Sequence, residues 1–245
     1  LKRKYGGTVL NVINYKNELI EKLDEQKNVS SKIPKLKQKS KKLIESLMAS
    51  VSLLTNNRKK AIKRLSSIVT EHIHEMDMQS SEFYINLNDL KKITEYGKDE
   101  CEFFIKTNMG ETPKPLVKIA SGGEISRIML AIKLAFQKQD RVDTLIFDEI
   151  DNGISGSTAQ RVGEKINELS NTYQVICISH LPQIAAKGNT HLKVIKNVDR
   201  GRTYVDIQKL SYHHRVKEIA SLISGYEISK ASIKQAEIIL EGLNG

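Results

Sequence analysis

Two adjacent carboxylates, Asp148 and Glu149, close the apolar run "TLIFDE", and the glycines of "NGISG" follow within a few residues. A short apolar run ending in acid reads as a buried strand that delivers its last side chains to the edge of a sheet. A carboxylate at such an edge can hold Mg²⁺ directly or through water, and its neighbour can polarise a water for attack on phosphorus. Many buried strands end in an acid only because the chain emerges into solvent there, so the pair alone decides nothing. Upstream, "SGGE" (Ser121 to Glu124) opens a helical pattern. Its glycines let backbone approach a ligand, and the unpaired N–H groups and positive dipole end of a helix suit a phosphate. The plain alternative is an N-cap and a turn. Downstream, His180 follows the apolar run "VICIS". An imidazole there could meet a terminal phosphate or the attacking water, although a single histidine after a strand is more often structural.

The elements around these residues predict how they would be brought together. From "SGGEISRIMLAIKLAFQK" the chain alternates: a helix, the strand "DTLIFDE", the helix "STAQRVGEKINELS", the strand "YQVICIS" and a short helix at "LPQIAA". Apolar strands joined by helices imply an α/β core with a parallel sheet covered on both faces, and ligands gather at the carboxyl edge of such sheets. Before this core, "FYINLNDL", "CEFFIKT" and "PLVKIA" read as strands, and after it come strands around "HLKVIK" and "TYVDIQ" and helices at about 213–224 and 229–242. At the N-terminus, Thr8 is placed to cap a helix, "KNVSSKIP" predicts a break, and a second helix is expected from about Lys35 to Met78. At 1.5 Å per residue that second helix extends roughly 60 Å, longer than a small domain is wide, so a projecting coiled-coil arm is expected. The chain therefore divides into an arm, residues 1–80, and a head lobe, residues 81–245.

Charge is concentrated in the arm. Residues 1–66 hold 17 Lys and Arg against 5 Asp and Glu, whereas residues 67–245 hold 22 against 24. A basic segment attracts phosphate backbones through a salt-sensitive force, and a solvated helix surface is the equal alternative. No apolar run approaches the roughly 20 residues that span a bilayer, so no membrane partner is expected. Cys101 and Cys177 match no metal or redox spacing and read as reduced packing residues of a cytoplasmic protein.

Taken in order, "ASGGE", "TLIFDE", "NGISG" and "ISH" resemble the ATP-binding-cassette ATPases. Within them they are similar to the branch that holds the structural-maintenance-of-chromosomes, Rad50 and RecF-like proteins. "LKRKYG", "KPLVKIASGGEISRIMLAIK", "FDEIDNGISG" and "VICISHLPQIAA" resemble the bacterial DNA-repair members of that branch along nearly the whole chain. The resemblance implies a C-terminal lobe of a cassette-type ATPase head with an antiparallel coiled-coil arm, using ATP and Mg²⁺. It implies that Ser121, Gly122, Gly123 and Glu124 form a signature loop touching nucleotide on a second head. Asp148 would serve the Mg²⁺, Glu149 the attacking water, and His180 the γ-phosphate, while Gly153, Ile154, Ser155 and Gly156 would cross the interface of a homodimer. Glu124 and Ser155 depart from the transporter pattern and favour the chromosome-maintenance branch.

The P-loop G-x-x-x-x-G-K-[ST] has no match. Gly97-Lys98 is followed by Asp99 and has Lys92 where the first glycine belongs. In the family that loop sits in an N-terminal lobe, so the chain is expected to be a fragment whose missing lobe completes the site and whose arm lacks its partner helix. The leading expectation is part of an ATPase acting on DNA double-strand breaks, cytoplasmic and nucleoid-associated, inactive as this fragment alone. The alternatives are a non-enzymatic dimerisation or DNA-binding module with inert motifs and, further off, a transporter's nucleotide-binding subunit.

Overall fold

The structure, a computed structural model, describes residues 3–5, 7–136, 142–199, 202–225 and 227–241. Leu1, Lys2 and Gly6 of the opening stretch, Gln137 and Lys138 at the tail of the "SGGE" helix, and Gly242 at the end of the last expected helix lie outside the described residues.

Helix α1 runs from Val9 to Glu75. Thr8 starts it as expected, its Oγ1 accepting the Asn11 N–H at 3.2 Å. The expected break at "KNVSSKIP" is absent, and Pro34 lies inside the helix. A proline within a helix costs about 3 kcal/mol, because it removes one N–H and crowds the carbonyl four residues back. That penalty is local, while the apolar repeat carries through it in steps of three, four and seven: Val29, Ile33, Leu36, then Leu43, Leu47 and Leu54. A cooperative helix with the same stripe on both sides continues across one weak position.

Two compact units share the chain. The first comprises the residues up to Lys59 with Leu90–Asp99. Here the apolar stripe of α1 is open to solvent, Leu36 by 64% and Leu43 by 60%, as expected of a coiled-coil strand without its partner. Order comes instead from a polar knot. Thr55 Oγ1 donates to both oxygens of the buried Asp99 carboxylate, at 2.9 and 2.7 Å. Arg58 donates to Asp99 at 3.2 Å and to the Tyr96 carbonyl at 2.7 Å.

The second unit comprises Lys60–Asp89 and the chain from Glu100 on. Strands β1 (Glu82–Thr94), β2 (Gly97–Lys106) and β3 (Lys114–Pro115) form a sheet in that order. Of the strand expected at "PLVKIA" only Pro115 lies in β3, and the chain then turns into a 3-10 helix at Leu116–Lys118. The α/β part follows: α2 (Gly122–Ala135), β4 (Thr144–Phe147), α3 (Gly156–Ser170), β5 (Gln174–Cys177) and the short α4 (Pro182–Ala185). Strands β4 and β5 pair in parallel, Leu145 opposite Val175 and Phe147 opposite Cys177. Their inward side chains join Ile128, Leu134, Ile150, Val162 and Leu169 in one core, which Val69, Ile73 and Met76 from the end of α1 complete.

Cover on both faces of this sheet, expected from the continuous apolar runs, is not found. The alternate residues Ile146, Ile176 and Ile178 are exposed, Ile146 by 67%. The apolar pattern records a face that the described residues do not bury. Strands β6 (Leu192–Asp199) and β7 (Arg202–Lys209) pair antiparallel, and helices α5 (Tyr212–Ser224) and α6 (Lys230–Glu241) pack on each other around Ile219, Ala220, Ala236 and Leu240.

Candidate functional site

Parallel pairing of β4 and β5 brings their carboxyl ends side by side, and Asp148, Glu149 and His180 follow those ends in the chain. Asp148 and Glu149 follow β4 directly, and both are exposed. Asp148 Oδ1 accepts the Glu149 N–H at 2.9 Å, and the Asp148 carbonyl accepts the Ser126 hydroxyl at 2.9 Å. Glu149 adopts φ 56°, a left-handed conformation that a side chain with a Cβ seldom takes. Such strain persists only where neighbours enforce it. Here the Glu149 carbonyl is held by the Asn152 N–H at 3.0 Å.

Helix α2 begins against this turn. Ser121 caps it by accepting the Glu124 N–H at 3.4 Å. Gly122 lies so close to the Glu149 carboxylate that a Cβ there would stand 2.4 Å from Oε2, and a Cβ on Gly123 would stand 2.5 Å from the Asn152 carbonyl oxygen. Gly123 is therefore required by close approach to the backbone of the acidic turn, and a methyl group at Gly122 would displace the Glu149 carboxylate, reasons that "cap and turn" did not supply. The loop Gly153 to Gly156 lies beyond. Gly153 and Gly156 have φ 75° and 54°, Ser155 precedes α3, and Ile154 packs against the core while the others are exposed.

His180 stands at the same edge, after β5, but its partner is not Asp148. Its Nδ1 lies 3.0 Å from Asp151 Oδ2, which also accepts the His180 backbone N–H at 2.8 Å and the Ser179 hydroxyl at 2.7 Å. Burial raises the Asp151 carboxyl's pKa, and these hydrogen bonds and the His180 ring more than offset it, so the group is held below the ordinary carboxylate range. Cys177, at the end of β5, is pushed up to about 12 by burial and then by the nearby Asp151 and Asp148 charges.

Three residues of this arrangement were not singled out in the sequence. Arg127 is buried, and its Nη1 donates to the Ile150 and Asn152 carbonyls at 3.2 and 3.0 Å, fastening α2 to the turn after β4. Burial opposes its charge and lowers its pKa, against a smaller raising effect of Glu124. A charged residue on the apolar stripe of "ISRIMLAIK" was the available signal. Asp151 looks like a loop residue in sequence and Ser179 like the last residue of the strand "YQVICIS", and only the pairing of β4 with β5 brings them together. Among the described residues no cluster of three or more His, Cys, Asp or Glu side chains is arranged to hold a metal by itself.

The fold is that of a chromosome-maintenance head lobe carrying a helix of the coiled coil. The Smc head domain with a coiled coil and joint from Pyrococcus yayanosii matches 100% of this chain and 40% of its own length with a TM-score of 0.55 at 19% identity. Residues 20–203 match the RecF/RecN/SMC N terminal domain family, and the chain belongs to that family. The DNA repair protein RecN of Halalkalibacterium halodurans is 38% identical over 98% of this chain and 43% of its own length. That of Bacillus subtilis is 36% identical over 98% and 44%. The chain thus spans less than half the length of the curated relatives it matches.

Proposed function

We propose that this chain is the C-terminal part of a RecN-like ATPase acting in recombinational repair of DNA double-strand breaks. Residues 1–80 would be one strand of its arm and residues 81–245 the C-terminal lobe of its head. The observation that carries the reading is the gathering of Ser121–Glu124, Asp148, Glu149, Gly153–Gly156 and His180 around one sheet edge, in a chain of this family. ATP with Mg²⁺ supplies an electrophilic γ-phosphorus and a metal that neutralises its charge. Asp148 suits the Mg²⁺: it is an exposed carboxylate with one oxygen engaged by the Glu149 N–H. Its other oxygen makes no hydrogen bond among the described residues and is available to the ion or its water. Glu149, aimed across Gly122, orients and deprotonates the attacking water. His180 Nε2 faces outward toward the terminal phosphate, and the N-terminus of α2 presents Ser121 and the Gly122 and Gly123 backbone to nucleotide on a second head. ATP-driven pairing of two heads is coupled to DNA held along the arm, in the cytoplasm at the nucleoid.

The open sheet face at Ile146, Ile176 and Ile178 supports a further part of the reading, that a lobe outside these 245 residues covers it and brings the phosphate-binding loop. This chain alone then has no micromolar affinity for ATP and no measurable turnover. In the full-length protein, Asp148→Asn should abolish Mg²⁺-dependent ATP hydrolysis, by about a hundredfold or more. Micromolar ATP binding by the isolated chain, seen by calorimetry, would contradict the proposed division of the site. Unchanged hydrolysis by Asp148→Asn would remove Asp148 from it.

A further inference from the structure

We propose that Asp151 is a positioning residue, one that fixes the tautomer and the direction of the His180 ring, an inference that rests on the reading of His180 as the group facing the γ-phosphate. The two side chains differ sharply in environment: that of Asp151 is 5% exposed and that of His180 is 76% exposed. An imidazole so open to solvent has little packing to choose its rotamer, and either nitrogen could face a ligand. The choice is made from beneath, by one carboxylate oxygen.

Asp151 Oδ2 receives the Ser179 hydroxyl at 2.7 Å, the His180 backbone N–H at 2.8 Å and the ring at Nδ1, 3.0 Å away. The backbone bond fixes the Cα from which the ring departs, and the ring bond fixes its rotation. Ser179 Oγ also accepts the Leu181 N–H at 3.1 Å, so residues 179 to 181 are wrapped around this acceptor. The carboxylate is itself held firmly. The carbonyls of its two neighbours, Ile150 and Asn152, are both clasped by Arg127 from α2.

An ionised carboxylate can only accept, so Nδ1 must carry a proton. Nε2 is then the atom presented to the site. It accepts a hydrogen bond from water while the ring is neutral and donates to a phosphate oxygen when the ring is charged. An oppositely arranged ring, with the proton on Nε2 and none on Nδ1, would leave the buried carboxylate facing a lone pair. The logic is that by which a buried aspartate selects the tautomer of a catalytic histidine in hydrolases. Asp151 acts only through His180 and touches no reacting atom.

The test uses the full-length protein with histidine rings labelled with ¹⁵N, His180 being assigned by difference with His180→Ala. The proposal expects the neutral ring of wild-type His180 to carry its proton on Nδ1, and Asp151→Asn to shift it toward Nε2. A wild-type ring protonated on Nε2, or a tautomer that Asp151→Asn leaves unchanged, overturns the proposal. The first of these outcomes does not depend on the Asp151 variant folding. Turnover is read in parallel with a double-mutant cycle. Asp151→Asn and His180→Ala should each lower kcat by about tenfold or more, and the double variant should be no slower than His180→Ala. Losses that multiply would make Asp151 a residue acting independently of His180 and overturn the proposal. A His180→Ala protein that turns over ATP at the wild-type rate would instead refute the reading of His180, and the tautomer result would still decide the role of Asp151.

Discussion

The two glycines of "SGGE" should respond in opposite ways to the same added methyl group. Gly122 and Gly123 are the first residues of α2, and neither has a left-handed φ, so alanine fits the backbone at both. Replacing a helical glycine by alanine gains up to about 1 kcal/mol, less in the first turn. At Gly122 the new Cβ would lie 2.4 Å from Glu149 Oε2 and 3.6 Å from its Cδ. That is the end of an exposed side chain, which can swing away. At Gly123 the Cβ would meet the Asn152 carbonyl oxygen at 2.5 Å, Asn152 Cβ at 3.1 Å and Arg127 Nη1 at 3.1 Å. That carbonyl is backbone and is itself held by Arg127 at 3.0 Å, so the turn after β4 must move. Overpacking of this kind costs about 1–3 kcal/mol. After the helix gain, Gly123→Ala should lose about 1–2 kcal/mol, a fall in Tm of about 2–8 °C for a chain of this size. Gly122→Ala should melt at or slightly above the wild-type temperature, yet in the full-length protein it should lose ATP turnover because the Glu149 carboxylate is displaced. Calorimetric melting of both variants at neutral pH, with hydrolysis rates, tests the pair. A Gly123→Ala protein as stable as Gly122→Ala would refute the packing argument, and full activity in Gly122→Ala would refute the placement of Glu149.

Neutralising Lys35, Lys37, Lys39, Lys41 and Lys42 together should weaken DNA binding by the full-length protein. It should also reduce the slope of log K against log salt by up to about 4–5, if each lysine meets one phosphate. An unchanged slope would move the DNA surface elsewhere. Cys177, with its pKa pushed up to about 12, is protonated throughout the neutral range, and its thiolate grows only as pH climbs toward that value. In the folded chain near pH 8 a thiol reagent should therefore label the exposed Cys101 first, with Cys177 reacting only on unfolding. Comparable labelling of both would contradict the half-buried setting of Cys177. Replacing the exposed Ile146 by Asp should leave the melting of this chain within about 1 kcal/mol of wild type, yet abolish turnover in the full-length protein. Retained turnover would show that no lobe covers that face.

The parts of the fold legible in sequence were those with a local cause. Thr8 announced the start of α1, the β4 and β5 runs announced a parallel pair, and the spacing from "SGGE" to His180 announced one shared edge. Where sequence misled, the deciding contacts were distant in the chain or not found among the described residues. Pro34 signalled a break, but the apolar stripe on both sides carried the helix across it. "PLVKIA" had the composition of a strand, but only its first residue, Pro115, pairs with a neighbouring strand. The apolar Ile146 and Ile176 were read as buried because strand patterns report what a face needs, not whether the covering element is present. Within the site the reactive groups were visible while their supports were not. Arg127, Asp151 and Ser179 owe their roles to packing between α2, the turn after β4 and the end of β5, which no short motif records.

The central claim is that Glu149 activates the water that cleaves ATP. It is tested most directly by measuring hydrolysis and head association in full-length Glu149→Gln, which keeps the size of the side chain and removes its basicity. The account predicts ATP-dependent dimers that persist, with turnover reduced by about a hundredfold or more. Hydrolysis at the unmodified rate would contradict it.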